Sequence, residues 1–370
     1  MEKKLKDSAH AGVPSEEGKK VAVIKCKSYS QKEVDKAVNK ALDLIDFRFK
    51  KGMKVLLKPN IVSANVKDII STITNPAIVE AVCKILKKNG CKIFVGESSF
   101  MSTDSNFKIS GIEKIAKKYN AKLVIFEQDK LIKLKDWKAK VLKEFPVSKT
   151  LKEADLIINL PKMKTHILTK YTGGIKNLYG VIPGGLKQSL HNKAKGEKNF
   201  SELLVDIYQN IKPGLNIMDG IVGMEGQGPT SGKAKKAGLI LCSKNTVALD
   251  IAATRIMGLN PKKVWTINYA VKRGLYPGYN FDLVGMKGKL PLIKFRKPRS
   301  DINISRLRRV FGEKPIVVDE KKCIQCGLCA KKCPAKAIRL DPYPIINRKK
   351  CIRCFCCMEV CPKHALNLKD

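Results

Sequence analysis

From Lys20 to about Val284, short apolar runs alternate with amphipathic stretches. That alternation predicts an α/β domain: a mostly parallel sheet with flanking helices. The runs are VAVIKC from Val21, KVLLKPN from Lys54, CKIFVGE from Cys91, AKLVIF from Ala121, ADLIINL from Ala154, LNIMDG from Leu215 and GLILCS from Gly238. They are rich in Val, Ile and Leu and do not alternate strictly, as expected for strands covered on both faces. Between them, Ser30 with Glu33 reads as a capping box ahead of Val34, Ala37, Val38 and Ala41. Asn75-Pro76 reads as a cap and first-turn proline, with Gly90 ending that helix. Further helical patterns run over Phe200–Ile211, Thr246–Met257 and Val264–Lys272. From Leu160 to Lys195 the periodicity fails and Gly, Lys and Thr dominate, which predicts a long functional loop.

The last part of the chain is patterned differently. CIQCGLCAKKCPAKAIRL from Cys323 and CIRCFCCMEVCPKHALNL from Cys351 are two copies of one unit, with Pro334 matched by Pro362 and Ile338 by Leu366. Before them, Met286–Gly312 carries many Lys and Arg against the single acid Asp301 and reads as a basic linker. The expected organisation is therefore a mobile polar tail over 1–19, an α/β domain over 20–285, a basic linker over 286–312, and a small α+β two-cluster domain over 313–370.

Each copy has the spacing C-x2-C-x2-C-x3-C-P of bacterial ferredoxins. Three closely spaced thiolates cap three corners of a cubane, and the fourth comes from the other copy. The expected cofactors are two [4Fe-4S] clusters, one on Cys323, Cys326, Cys329 and Cys361, the other on Cys351, Cys354, Cys357 and Cys333. Taking Cys356 in place of Cys357 breaks the spacing, so Cys356 is left as a free thiol. Zinc favours isolated C-x2-C pairs with longer gaps, and disulfides are foreign to a reducing compartment. All-thiolate ligation implies low potential. Cys26, Cys83, Cys91 and Cys242 are scattered and read as buried structural thiols.

In open α/β sheets ligands bind beyond the carboxyl ends of the strands. Lys58 and Asn60, Glu97 and Ser98, Lys162, Lys164 and His166, and Asp219 all fall there on this reading. Gly173, Gly174, Lys176 and Asn177 in GGIKNLYG add backbone N–H groups and charge. These residues make an anion site, with Lys162, His166 and Glu225 as candidate catalytic groups; solvated lysines and turn glycines are the plainer alternative. GMEGQGPTSGK (223–233) is not a P-loop, since Gln227 and Ala234 stand where Gly and Ser/Thr are needed.

Composition narrows the partners. Lys+Arg 73 against Asp+Glu 33 gives +40, mostly from Lys, which favours acidic partner surfaces and anionic ligands. Arg and aromatics are scarce and no reader motif is present, so nucleic acid ranks low. No stretch reaches the roughly 18 apolar residues of a membrane span, and the N-terminus lacks a secretory apolar core, so a cytoplasmic protein is expected.

Through KPNIV, TNPAIVEAV, GESS, NLPKMKTH, GGIKNLYG and DGIVGMEGQGP, the chain resembles the uncharacterised prokaryotic family catalogued as domain of unknown function 362. Members often carry a C-terminal ferredoxin domain, and Cys323–Leu366 is similar to a two-cluster bacterial ferredoxin. The resemblance implies architecture and clusters but no reaction. The function expected is that of an iron–sulfur electron-transfer protein, passing low-potential electrons to or from a partner or an anionic substrate at the large domain. The alternative is a ferredoxin-linked oxidoreductase with its own active site at the Lys/Gly-rich loops.

Overall fold

The computed structural model describes residues 16–99, 102–298, 315–352 and 354–368. Most of the expected tail, and residues 299–312 of the expected linker, lie outside them.

All seven apolar runs are strands of one sheet. They are β1 (Lys20–Lys25), β2 (Lys54–Pro59), β3 (Lys92–Glu97) and β4 (Lys122–Ile125), then β7 (Leu156–Leu160), β10 (Leu215–Glu225) and β11 (Lys233–Ser243). A separate hairpin, β5 (Leu131–Lys135) with β6 (Glu144–Ser148), intervenes. With β8 (Lys162–His166), β9 (Lys170–Thr172) and β12 (Asp282–Val284) the main sheet has 10 strands, in the order β12-β1-β11-β10-β7-β2-β3-β4, with β8 pairing β10 and β9. Neighbours from β10 through β7, β2 and β3 to β4 are parallel, whereas β10–β11 and β1–β11 are antiparallel. Strand pleating sends Val21, Val23 and Leu56 to one hydrophobic layer and Ala22, Ile24, Val55 and Leu57 to the other. Helices Gln31–Leu44 and Pro76–Lys88 bury their apolar faces in the second layer; Gly196–Ile211 and Thr246–Ile256 cover the first.

Two local expectations are corrected. Ser30 stands at the helix N-cap, but its side chain makes no cap bond. Glu33 reaches past it, accepting from the N–H groups of Lys27 and Ser28 (3.2 Å each). The stretch 160–195 is not a loop. It holds β8, β9 and the helical segments Gly174–Asn177, Leu178–Val181 and Leu186–Lys193. The apolar period fails there because all five residues of β8, KMKTH, are buried although four are polar.

The small domain is a doubled β-α-β unit. Strands β13 (Ile316–Val318) and β14 (Ile338–Asp341) flank helix Leu328–Lys331; β15 (Tyr343–Ile346) and β16 (Leu366–Leu368) flank helix Cys356–Val360. Pairing is crossed, β13 with β16 and β14 with β15, so each half closes on its twin. The repeat extends to the backbone: the left-handed Gly327 and Lys336 are matched by the left-handed Phe355 and His364. Before this domain, residues 290–298 lie along the large one, with Ile293 and Phe295 N–H groups donating to the carbonyls of Ile256 (2.7 Å) and Met257 (3.1 Å).

Candidate functional site

In the small domain the thiols stand around two cavities. Cys323, Cys326, Cys329 and Cys361 wall one of about 320 Å³; Cys333, Cys351, Cys354 and Cys357 wall another of about 310 Å³. Each set draws its fourth cysteine from the other half of the repeat. The backbone N–H of Ala337 donates to Cys333 Sγ (3.3 Å) and that of Ala365 to Cys361 Sγ (3.2 Å), again at matched positions. Burial pushes the thiols of Cys329 and Cys357 up, and neighbouring cysteines add to it. Among the described residues no three Cys, His, Asp or Glu side chains converge as they would on a single metal ion. Four thiols standing around an open space, without three of them converging on one point, fit a cluster better than a mononuclear zinc. Cys356 is fully buried and belongs to neither cavity wall.

A third cavity, of about 620 Å³, opens at the carboxyl ends of β2 and β3. It takes Asn60 and Glu97 from those ends, Lys164 from β8, Lys176 and Asn177 from the segment after β9, and Lys187 and His191 from helix Leu186–Lys193. Beneath it, Lys58 Nζ meets Glu97 Oε2 at 2.6 Å with both side chains buried. Burial pulls the lysine pKa down and the carboxyl pKa up, while their mutual attraction opposes both shifts. Gly180 closes over this pair: a Cβ there would stand 2.1 Å from Glu97 Oε1 and 2.6 Å from Lys58 Nζ.

Lys164 Nζ donates to Asn60 Oδ1 (2.9 Å) and the Thr72 carbonyl (2.7 Å), and reaches the Pro229 carbonyl at 3.4 Å. Lys187 Nζ donates to Ser98 Oγ (2.8 Å) and to the Ser98 and Ser99 carbonyls, all neutral oxygens. Burial lowers its pKa to about 8. Lys176 Nζ sits 5.9 Å from the Tyr179 and Phe200 ring centres, and His191 stacks on Phe200 at 4.2 Å. A chain of amides steadies the wall: Asn60 Nδ2 donates to Asn177 Oδ1 (3.1 Å), Asn177 Nδ2 to Asn159 Oδ1 (2.8 Å), and Asn159 Nδ2 to Asn216 Oδ1 (3.0 Å).

Of the residues singled out in the sequence, Asn60, Glu97, Ser98, Lys164, Lys176 and Asn177 line this cavity. The others lie outside its wall. Lys162 Nζ is fully buried against Asp219 Oδ2 (2.7 Å) and Tyr29 OH (2.9 Å), and Tyr29 OH donates to Asp219 Oδ1 (2.9 Å). His166 Nδ1 accepts from the Leu168 and Thr169 N–H groups (3.0 and 3.3 Å), which fixes its ring in β8. Gly173 and Gly174 lie against Asp250, whose Oδ1 accepts from the Gly174 N–H (2.6 Å) and Tyr171 OH (2.9 Å). Burial raises the Asp250 pKa to about 6. Glu225 Oε2 accepts from the Arg296 N–H (2.9 Å), on the residues leading to the small domain. Sequence reasoning missed Lys187, Thr172 and Tyr179 and left His191 as structural; a lysine is too common in this chain to stand out.

Two stretches of the chain match known families. Residues 55–255 match the family described as Domain of unknown function (DUF362). The chain belongs to that family. Residues 316–339, in the first half of the repeat, match the 4Fe-4S binding domain. A thylakoid-associated protein of Synechocystis sp. is 34% identical over 230 residues, covering 62% of this chain and 70% of that relative. The lactate racemase apoprotein of Thermoanaerobacterium thermosaccharolyticum superposes with a TM-score of 0.40 and 15% identity over 64% of this chain. A Thermotoga maritima protein gives 0.36 and 14% over 54%. This chain spans 56% and 52% of those two structures. The DUF362 chain thus joins a family domain carrying a basic cavity to a 4Fe-4S domain. Among its described residues no helix is long and apolar enough to cross a membrane.

Proposed function

We propose that this DUF362 protein is a two-cluster electron-transfer protein whose large domain holds an anionic ligand as the electron donor or acceptor. Cys323, Cys326, Cys329 and Cys361 hold one [4Fe-4S] cluster, and Cys351, Cys354, Cys357 and Cys333 the other. Such clusters supply one-electron transfer at low potential. The Ala337 and Ala365 N–H groups donate to two of the ligand sulfurs and stabilise the more negative, reduced form. In the cavity, Lys164, Lys176 and Lys187 supply the positive field and Asn60 and Asn177 orient the ligand. Glu97 is the one acid on that wall and is itself held by Lys58.

One observation carries the link between the two sites. His364 Nδ1, three residues after Cys361, hydrogen-bonds Ser231 Oγ at 2.8 Å. Ser231 lies at the tip of the β10–β11 hairpin, whose Pro229 lines the cavity and faces Lys164 Nζ. The small domain therefore sits on the hairpin that roofs the ligand cavity. Cysteine-ligated clusters also suit a reducing, cytoplasmic compartment.

The test is anaerobic. The protein is reconstituted, reduced, and its visible absorbance followed as small-molecule and protein fractions of a cell extract are added. Reoxidation by a small anion, lost in Lys164→Gln with iron content retained, is the expected result. Reoxidation by protein fractions alone, unaffected by Lys164→Gln, would show that the cavity has no part in electron transfer.

A further inference from the structure

The side of the Cys323–Cys326–Cys329–Cys361 cavity that opens to solvent has apolar residues where a free-standing domain would place polar ones. Ile324, between the first two cysteines, is 56% exposed, and Cys326 is exposed beside it. Leu340 is 41% exposed. It lies directly across the β14–β15 ladder from Pro344, which walls the same cavity, and its Cδ1 stands 3.2 Å from the place of a Cβ on Gly327, another wall residue. Ile324 and Leu340 thus flank one opening.

The exposed charge around it is mainly positive, with Glu320, three residues before Cys323, the exposed acid nearest that cysteine in sequence. Lys363 is part of the cavity wall and Lys331 ends the helix that carries Cys329; both are exposed and neither pairs with a carboxylate among the described residues. Two of this domain's acids, Asp319 and Asp341, are already paired with Lys322 (2.6 Å) and Arg339 (2.7 Å). An apolar centre rimmed by uncompensated lysine fits a partner with an apolar patch inside an acidic rim, and complementarity of that kind sets partner choice and encounter rate.

We infer that the Ile324–Leu340 face is the docking site of an acidic electron-carrier protein, which exchanges electrons with the adjacent four-cysteine site. This rests on the reading that those cysteines hold a cluster. One electron leaves the reduced carrier and one arrives at the site; no bond forms or breaks. The face lies on the solvent side, and His364, beyond Cys361, makes the contact with the large domain. Electrons from the carrier therefore enter at one surface of the small domain and leave toward the cavity at another.

The experiment uses the reconstituted full-length protein and an acidic flavodoxin, photoreduced to its hydroquinone, as the probe. Rapid mixing follows cluster bleaching at low and high ionic strength, with dithionite as the small reductant. Calorimetry of oxidised flavodoxin with oxidised protein reports binding independently. The expected result is a flavodoxin rate that falls with salt, and that Ile324→Glu slows by at least about tenfold with parallel loss of binding. Dithionite should bleach wild type and variant equally. Lys363→Gln should weaken the salt dependence. A flavodoxin rate unchanged by Ile324→Glu, or insensitive to salt, overturns the docking site while leaving the clusters standing. Failure of dithionite to bleach the wild type overturns both.

Discussion

The polar residues that matter most in the large domain are those that water does not reach. Lys58 and Glu97 are a buried pair, and a buried charge left without its partner costs about 3–5 kcal/mol. Lys58→Met alone should lower stability by that amount in urea unfolding, whereas Lys58→Met with Glu97→Leu should recover most of it. Gly180→Ala should be similarly costly, by about 2–3 kcal/mol, because its methyl would be driven into Glu97 and Lys58. Lys187 gives a pH signature. Its pKa of about 8 in the fold lies below its unfolded value, so between roughly pH 8 and 10.5 the unfolded chain binds more protons. Stability contributed at this position therefore rises with pH over that window, and the cost of burying the charge is felt in full below it. Compared with Lys187→Met, the wild type should gain about 2–4 kcal/mol between pH 7 and pH 11. Parallel pH profiles for the two proteins would contradict the assignment.

At the scale of elements, the sheet was legible because its strands announce themselves by apolar runs that need cover on both faces. The hairpin and β8 were not. β10 and β11 extend to 11 residues each, well past LNIMDG and GLILCS, through Gly- and Lys-rich sequence without an apolar period. β8 hid because Lys162 and Lys164 are buried in it, each neutralised or hydrogen-bonded by residues distant in the chain: Asp219 and Tyr29 for one, Asn60 and Thr72 for the other. Sequence carries residue type but not the partner that makes a buried lysine tolerable. The hairpin tip is fitted against β8 at Gly228, where a Cβ would meet the Thr165 carbonyl at 2.0 Å. Gly228→Ala should therefore lift the tip, expose residues 226–232 to limited proteolysis, and open the roof of the cavity. Unchanged cleavage would mean that the tip is held elsewhere.

Over the whole molecule, His364 of the small domain meets Ser231 of the hairpin that roofs the cavity in the large one. The proposed ligand assignment is read from the cysteine spacing, since a short loop cannot wrap a cubane and each half must borrow from its twin. The lysine-rich cavity was only partly legible: four residues named from strand ends, Asn60, Glu97, Ser98 and Lys164, line it with Lys176 and Asn177, but Lys187 was hidden among many lysines. Net charge of +40 adds a long-range field to these short-range contacts, so encounter with acidic carriers should slow as salt rises.

Crossed ligation of two clusters predicts that cysteines from opposite halves of the repeat lose the same iron when removed. Iron, sulfide and low-temperature EPR spectra of the reduced protein are compared among wild type, Cys323→Ala, Cys361→Ala, Cys351→Ala and Cys333→Ala, all reconstituted without oxygen. Cys361→Ala should lose the same half of the iron, and leave the same spectrum, as Cys323→Ala. Cys333→Ala should likewise match Cys351→Ala and retain the other spectrum. A wild type that binds only one cluster, or a Cys361→Ala spectrum that matches Cys351→Ala, would contradict the account.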